Sequence, residues 1–250
     1  MDFVHVSRRE GIAEVALRRG KVNAINEQMV RELRECFQQL ADDPGTNAIT
    51  LTSQGPFFSF GFDIPELLNY SKPSFLEFLG AFTDLYAYLF GYPKPIVAAL
   101  NGHAIAGGCM LALACDLRIM VSGKARISLN EITFGSSLFA GSVRMLRFAV
   151  GEKNAQAIAC DGALYSAEEA ERLGLVDLVS SVETLAEDAA KATRRFALKD
   201  GAAFRSIKGL LRKPVAKEIA LAERSSHREF ADIWYSANTW KNLQAITIRS

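Results

Sequence analysis

Apolar and polar residues alternate along Ile12-Ala13-Glu14-Val15-Ala16-Leu17, which is the two-residue period of a half-buried strand. Arg18-Arg19-Gly20-Lys21 turns the chain, and beyond Val22-Asn23-Ala24-Ile25 the period changes. Val30, Leu33, Phe37 and Leu40 recur at helical spacing, so a helix is predicted over 27–41 with Asn26 as its N-cap. A strand is expected over 47–52, followed by a loop over 55–63 rich in glycine and aromatics. About two helical turns should begin at Ile64-Pro65-Glu66, and a longer helix should cover 73–90 before Pro93-Lys94-Pro95. Ile96 to Leu100 is a short apolar run of the kind buried inside a sheet. Residues 101–108 read as a Gly-rich turn into a small-residue helix, Cys109 to Cys115. Strands are expected over 117–121 and 126–129. Strand, turn and helix thus alternate to about residue 150, which predicts an α/β core.

The remainder reads as mostly helical. Ser166-Ala167-Glu168-Glu169 is a capping box, and Gly174 is placed to end the helix it starts. A short strand is expected over 175–179. From Val182 onward the chain is helix-compatible, with Pro214 as the one sharp break. Phe230, Ile233, Trp234, Trp240 and Leu243 give the last helix an apolar face broader than a lone helix should expose. That face is expected to pack on the core or on a neighbouring subunit. Two regions result, a core over 1–190 and a helical C-terminal region over 191–250.

Composition narrows the partners. Apolar residues make up 49% of the 250, enough for a sizeable core and against disorder. The formal net charge of +1 gives no overall pull toward nucleic acid or an acidic membrane surface. Apolar runs are too short to span a bilayer. Cys36, Cys109, Cys115 and Cys160 form no CxxC pair, and no secretory signal is read at Met1-Asp2-Phe3-Val4-His5, so reduced thiols and a cytoplasmic location are expected. The terminal Ile248-Arg249-Ser250 is not a peroxisomal address.

Several chemistries fall away. The turn at 102–108 is followed by no Lys-Ser/Thr and lacks GxGxxG order, so neither a P-loop nor a dinucleotide site is expected. No HExxH or Cys/His cluster offers metal ligands. Of three histidines, His5 and His227 read as surface or packing residues. His103 lies in the Gly-rich turn, either touching substrate or bonding loop carbonyls, and no GxSxG elbow accompanies it. Asp63 and Asp116 are expected to cap local amides. Cys109 has no basic neighbour in sequence and reads as a small packing residue.

Two loops are suited to presenting backbone N–H groups. In Ser59-Phe60-Gly61-Phe62-Asp63, Gly61 permits a tight turn that frees the Phe62 amide. In Ala106-Gly107-Gly108-Cys109, glycines precede a helix whose first amides are unpaired. Converging on one oxygen, two such donors make an oxyanion hole, each contributing roughly 3–4 kcal/mol to lowering a barrier.

The ordered set of motifs resembles the crotonase, or enoyl-CoA hydratase/isomerase, family. Its carriers are Val22-Asn23-Ala24-Ile25-Asn26, Phe58 to Asp63, Pro95 to Gly102, Ala106-Gly107-Gly108-Cys109, Cys115-Asp116, Asn130-Glu131-Ile132, and Ala167 to Ala170 leading to Gly174-Leu175-Val176. The resemblance runs from about residue 10 to about 190. It implies a spiral of ββα units, a helical C-terminal trimerisation region giving a homotrimer or hexamer, and acyl-CoA substrates. Coenzyme A would arrive as part of the substrate, with no separate cofactor. Oxyanion amides carry over to Phe62 and Gly107. Contacts to the substrate carry over to Lys21, Val22, Ala24, Phe60 and Ile64, with Gly108 and Met110 beside the turn. Phe60 and Phe62 stand where the family often has alanines.

The family's hydratases use two glutamates. Met110 occupies the first of those positions and cannot exchange a proton, whereas Glu131 occupies the second. Hydration loses a carboxylate it needs, while moving a double bond from C3 to C2 requires one base. Met110 followed by Leu129-Asn130-Glu131 is similar to single-glutamate Δ3,Δ2-enoyl-CoA isomerases. Leu129, Ile132, Phe134, Leu138 and Phe139 are expected to wall Glu131 and raise its pKa. Other reactions using the same hole, such as hydration, decarboxylation or thioester hydrolysis, remain open. So does a catalytically silent acyl-CoA binder.

Overall fold

The computed structural model describes residues 1–247; the reading of residues 248–250 lies outside them. The chain begins with β1 (Val4–Arg9), β2 (Ile12–Leu17), α1 (Glu27–Asp42), β3 (Ala48–Ser53), β4 (Phe57–Ser59), α2 (Ile64–Leu67) and α3 (Lys72–Phe90). Next come β5 (Ile96–Leu100), β6 (His103–Ile105), α4 (Gly107–Ala114), β7 (Leu117–Val121), β8 (Ile127–Ser128) and a 3-10 turn over Glu131–Phe134. It closes with α5 (Ala140–Asp161), α6 (Ala167–Leu173), β9 (Leu178–Ser180), α7 (Leu185–Ala197), α8 (Gly201–Trp234) and α9 (Ala237–Gln244).

A larger sheet has the order β1-β2-β3-β5-β7-β9, parallel except for the β1–β2 hairpin. A smaller parallel sheet has the order β4-β6-β8. Successive strands therefore alternate between sheets before each helix. β3-β4-α2, β5-β6-α4 and β7-β8 with the 3-10 turn each repeat this ββα step, and the repeats stack into the expected spiral. Ile49 pairs with Ile96 and Val97 with Leu117, so the apolar run of β5 lies between two neighbours and is wholly buried.

Local chemistry sets many boundaries where expected. Asn26 Oδ1 accepts from Met29 N at 3.0 Å and caps α1. Ser166 and Glu169 form the reciprocal capping box of α6. Other boundaries differ. β4 and β6 lie inside stretches expected to be loop and turn; three residues carry too little period to read, and the strands form because Phe57 pairs with His103 and Ser59 with Ala104. The helix expected to make two turns after Ile64 makes one, because Ser71 already caps α3 by accepting from Ser74 N. In place of a strand over 175–179, Leu175 and Val176 form a turn onto Ala170 O and pairing starts at Leu178. α5 was not marked by its sequence, and it bends at Gly151.

Pro214 does not break α8. The buried residues Lys208, Arg212, Ile219, Glu223, Phe230 and Trp234 recur four and seven apart, making one stripe that binds the helix to the core on both sides of the proline. Pro214 is exposed, and so is Leu210, whose carbonyl would otherwise accept from the N–H that proline lacks. The residue 190/191 division falls inside α7.

Candidate active site

The Phe62 amide is freed by its neighbours. Ile25 N donates to Gly61 O at 2.7 Å, and Asp63 N donates to Ile25 O at 2.9 Å. These bonds hold the peptides on either side, and among the described residues no acceptor takes Phe62 N–H. Gly61 has φ +91°, which a side chain would strain. A Cβ there would lie 3.1 Å from Gly107 N, so the two amide-bearing loops touch.

Gly107 opens α4, and its amide likewise has no acceptor among the described residues. Ala106 before it holds φ +49°, a costly conformation for a residue with a side chain. Ala106 N donates to Ser128 O at 2.8 Å, which ties the turn to β8. Gly108 serves packing: a Cβ on it would meet Ser59 O at 2.4 Å, so α4 approaches β4 only because the side chain is absent.

Behind these loops lies a cavity of about 310 Å³. Phe62, Ile64, Ile105, Phe139 and Phe230 line it with apolar surface, and Phe60 stands partly exposed at its edge. Glu131 is the one ionisable side chain among its lining residues. It starts the 3-10 turn that follows β8, is 4% exposed, and its Oε2 has no hydrogen-bond partner. Burial pushes its pKa up to about 8, against the lowering effect of a hydrogen bond from the residue's own N–H.

The expected wall is partly revised. Phe134 and Phe139 line the cavity, but Leu129 turns into the core, Ile132 is exposed, and Leu138 packs beside the core. A 3-10 turn directs successive side chains about a third of a turn apart, so neighbours of Glu131 cannot all face one way. Phe230, Trp234 and Ile246 supply the wall instead. The helical spacing of Phe230 and Trp234 signals burial without saying against what; nothing in the sequence marks Ile246.

The remaining candidates separate. Phe60, Phe62, Ile64, Gly107 and Glu131 come together at the cavity. Lys21, Val22, Ala24, Gly108 and Met110 are not among its lining residues. Lys21 is exposed, Val22 O accepts from Phe60 N at 2.9 Å, and Met110 is buried in the core. His103 stacks on Phe57 at 4.6 Å and bonds no loop carbonyl among the described residues. Cys109 is fully buried and its thiol is pushed far up by that burial, consistent with packing. Asp63 caps α2 at Glu66 N and pairs with Arg19 at 2.6 Å. Arg19 also reaches Glu66 and Ala24 O, a brace behind the Phe62 loop that the sequence did not reveal.

Residues 7–245 match the family model described as Enoyl-CoA hydratase/isomerase. The chain belongs to that family. A mitochondrial enoyl-CoA hydratase of Pongo abelii is 34% identical over 176 residues, which is 70% of this chain and 60% of that protein, less than two thirds of its length. A probable enoyl-CoA hydratase of Bacillus subtilis is 30% identical over 98% of this chain and 95% of its own. Among solved structures, human mitochondrial delta3-delta2-enoyl-CoA isomerase superposes with a TM-score of 0.93 at 26% identity, covering 97% of this chain and 95% of that one. An enoyl-CoA hydratase of Bacillus halodurans also superposes, with a TM-score of 0.89 at 25% identity, covering 98% of this chain and 100% of that one, so the chain shares its shape with isomerase and hydratase alike.

Proposed function

We propose that the protein is a Δ3,Δ2-enoyl-CoA isomerase that works by a one-glutamate proton shuttle. The carrying observation is that Glu131 is the only proton-exchanging side chain among the cavity's lining residues, with Met110 in the core. In this reading the Glu131 carboxylate removes a proton from C2. The C2–H electron pair moves into the thioester, whose oxygen gains charge and is held by the Phe62 and Gly107 amides. Glu131 then returns the proton to C4, and the double bond settles between C2 and C3. A buried carboxyl with a pKa near the working pH suits both halves of that transfer.

The names of the sequence relatives favour hydration as the second reading. Presenting 3-hexenoyl-CoA and crotonyl-CoA side by side separates the two. Conjugation of the first without hydration of the second is expected, and the reverse pattern overturns the isomerase. Binding of both without turnover favours an acyl-CoA-binding member. Glu131→Gln should lower isomerase turnover by roughly 10²–10⁴-fold, and undiminished turnover would remove Glu131 from the mechanism.

We further propose a cytoplasmic homotrimer or hexamer. Four free cysteines and the apolar residues exposed on α8 support it. Among the described residues no helix is long and apolar enough to cross a membrane.

A further inference from the structure

A shuttle from C2 to C4 asks one carboxyl to reach two carbons, so the placement of Glu131 matters as much as its chemistry. Among the described residues no other residue hydrogen-bonds that carboxyl, and its Oε2 has no partner at all. Its position therefore comes from the backbone that carries it. The 3-10 turn closes on itself through Gly135 N to Ile132 O at 3.1 Å and Ser136 N to Glu131 O at 2.9 Å. The carbonyls at its end are left over, as they are wherever a helix stops. α9 meets two of them. Thr239 Oγ1 donates to Gly135 O at 2.6 Å, and Asn242 Nδ2 donates to Phe134 O at 3.1 Å. Among the described residues these are the only hydrogen bonds that reach residues 130–138 from elsewhere in the chain.

α9 is itself held from behind. Leu243 is fully buried, Trp240 stacks on Tyr235 at 5.1 Å, and Tyr235 Oη donates to Tyr70 O at 2.9 Å. Thr239 is buried too, and its oxygen accepts from Ser236 Oγ at 3.2 Å, which leaves its own proton for Gly135 O. Thr239 and Asn242 are three residues apart, so they share one face of the helix and address the same turn. Neither is among the residues lining the cavity, so their effect must pass through the turn. Resting on the reading of Glu131 as the proton shuttle, we propose that Thr239 and Asn242 are positioning residues: they fasten the end of the 3-10 turn to α9 and so hold the Glu131 carboxyl within reach of both carbons.

Thr239→Val keeps the side chain's shape without its donor, Thr239→Ser keeps the donor, and Asn242→Leu removes the second donor. For each full-length variant, kcat and KM are measured with 3-hexenoyl-CoA. Affinity for hexanoyl-CoA, which has no double bond to move, is measured by calorimetry. Thr239→Val and Asn242→Leu should each lower kcat roughly tenfold to a hundredfold, the order expected when a reacting group shifts by about 1 Å. Hexanoyl-CoA should bind both as tightly as it binds the wild type, because the Phe62 and Gly107 amides sit on other loops. Thr239→Ser should restore the wild-type kcat, which a loss of packing would not explain. The proposal is overturned if either folded donor-free variant keeps the wild-type kcat, if kcat falls only in step with hexanoyl-CoA affinity, or if Thr239→Ser loses as much as Thr239→Val. Should Thr239→Val fail to fold, Asn242→Leu decides alone. Wild-type protein that hydrates crotonyl-CoA and leaves 3-hexenoyl-CoA unchanged defeats the isomerase reading only; the same variants are then compared by hydration, where Glu131 still transfers the proton. Turnover of neither ester overturns both.

Discussion

A carboxyl buried without a partner keeps its proton past the pH at which a solvated one ionises. For Glu131 the interval runs from the ordinary 4.5 up to about 8. Across that interval the unfolded chain releases the proton and the folded one retains it. Stability from this group is therefore complete below 4.5, declines as pH rises, and levels off above about 8. The total is on the order of 5 kcal/mol. Glu131→Gln cannot ionise, so its melting temperature should gain on the wild type steadily between pH 5 and pH 8; parallel melting curves would show that the carboxyl is not desolvated. The same group sets the activity profile. Proton removal from C2 needs the carboxylate, so kcat/KM for isomerisation should rise with pH through about 8. A profile flat from pH 6 to 9 would exclude Glu131 as the base. Glu131 was legible in the sequence because its neighbours match a family pattern. Its wall was not, since Phe230 and Trp234 arrive from a helix a hundred residues on and no local signal records which cavity they close.

At the scale of elements, the site depends on how closely α4 lies against β4 and the loop after it. Gly108→Ala would drive a methyl into Ser59 O, 2.4 Å from the ideal Cβ. We expect it to lose about 1–3 kcal/mol in denaturant melts and to displace the Gly107 amide, lowering kcat more than it raises KM. An unchanged kcat in a stably folded Gly108→Ala protein would mean that the α4 turn does not hold the oxyanion. The opposite end of α4 is fixed by charge. Arg212 donates to Ala114 O and Cys115 O at 3.0 Å and to Phe90 O at 2.9 Å, while Asp116 pairs with Arg212 at 3.2 Å and Lys208 at 2.8 Å. All three side chains are nearly buried, so Asp116→Asn leaves two cations without their anion. A loss of roughly 3–5 kcal/mol is expected, read as a lower denaturation midpoint. Asp116 was expected to cap local amides; it instead accepts from Ile96 N, twenty residues earlier in the chain. Its larger part as a hub for α8 was hidden because both partners lie about ninety residues away. Caps at Asn26 and Ser166 were legible because their chemistry closes within four residues. β4 and β6 were not, because three-residue strands exist only through their pairing.

For the whole molecule, the decisive asymmetry is along α8. One stripe binds it to the core, and another faces outward with Ile207, Leu210, Leu211 and Leu221, of which Leu210 is 77% and Leu221 85% exposed. Leu210 and Leu221 lie about three helical turns apart, so they share a face. Scattered surface leucines need no partner, but a row of them on one helix is more apolar surface than a monomer ordinarily leaves wet. In the homotrimer or hexamer proposed above, this face would form the contact between subunits. Wild-type protein should therefore sediment at a multiple of three chain masses. Leu210→Glu combined with Leu221→Glu should release lighter species, since burying two carboxylates in an apolar contact is prohibitive. Secondary structure should persist in that variant, because neither residue belongs to the buried stripe. If the double variant keeps the wild-type mass, the outer face of α8 lies free in the assembly and subunits meet elsewhere.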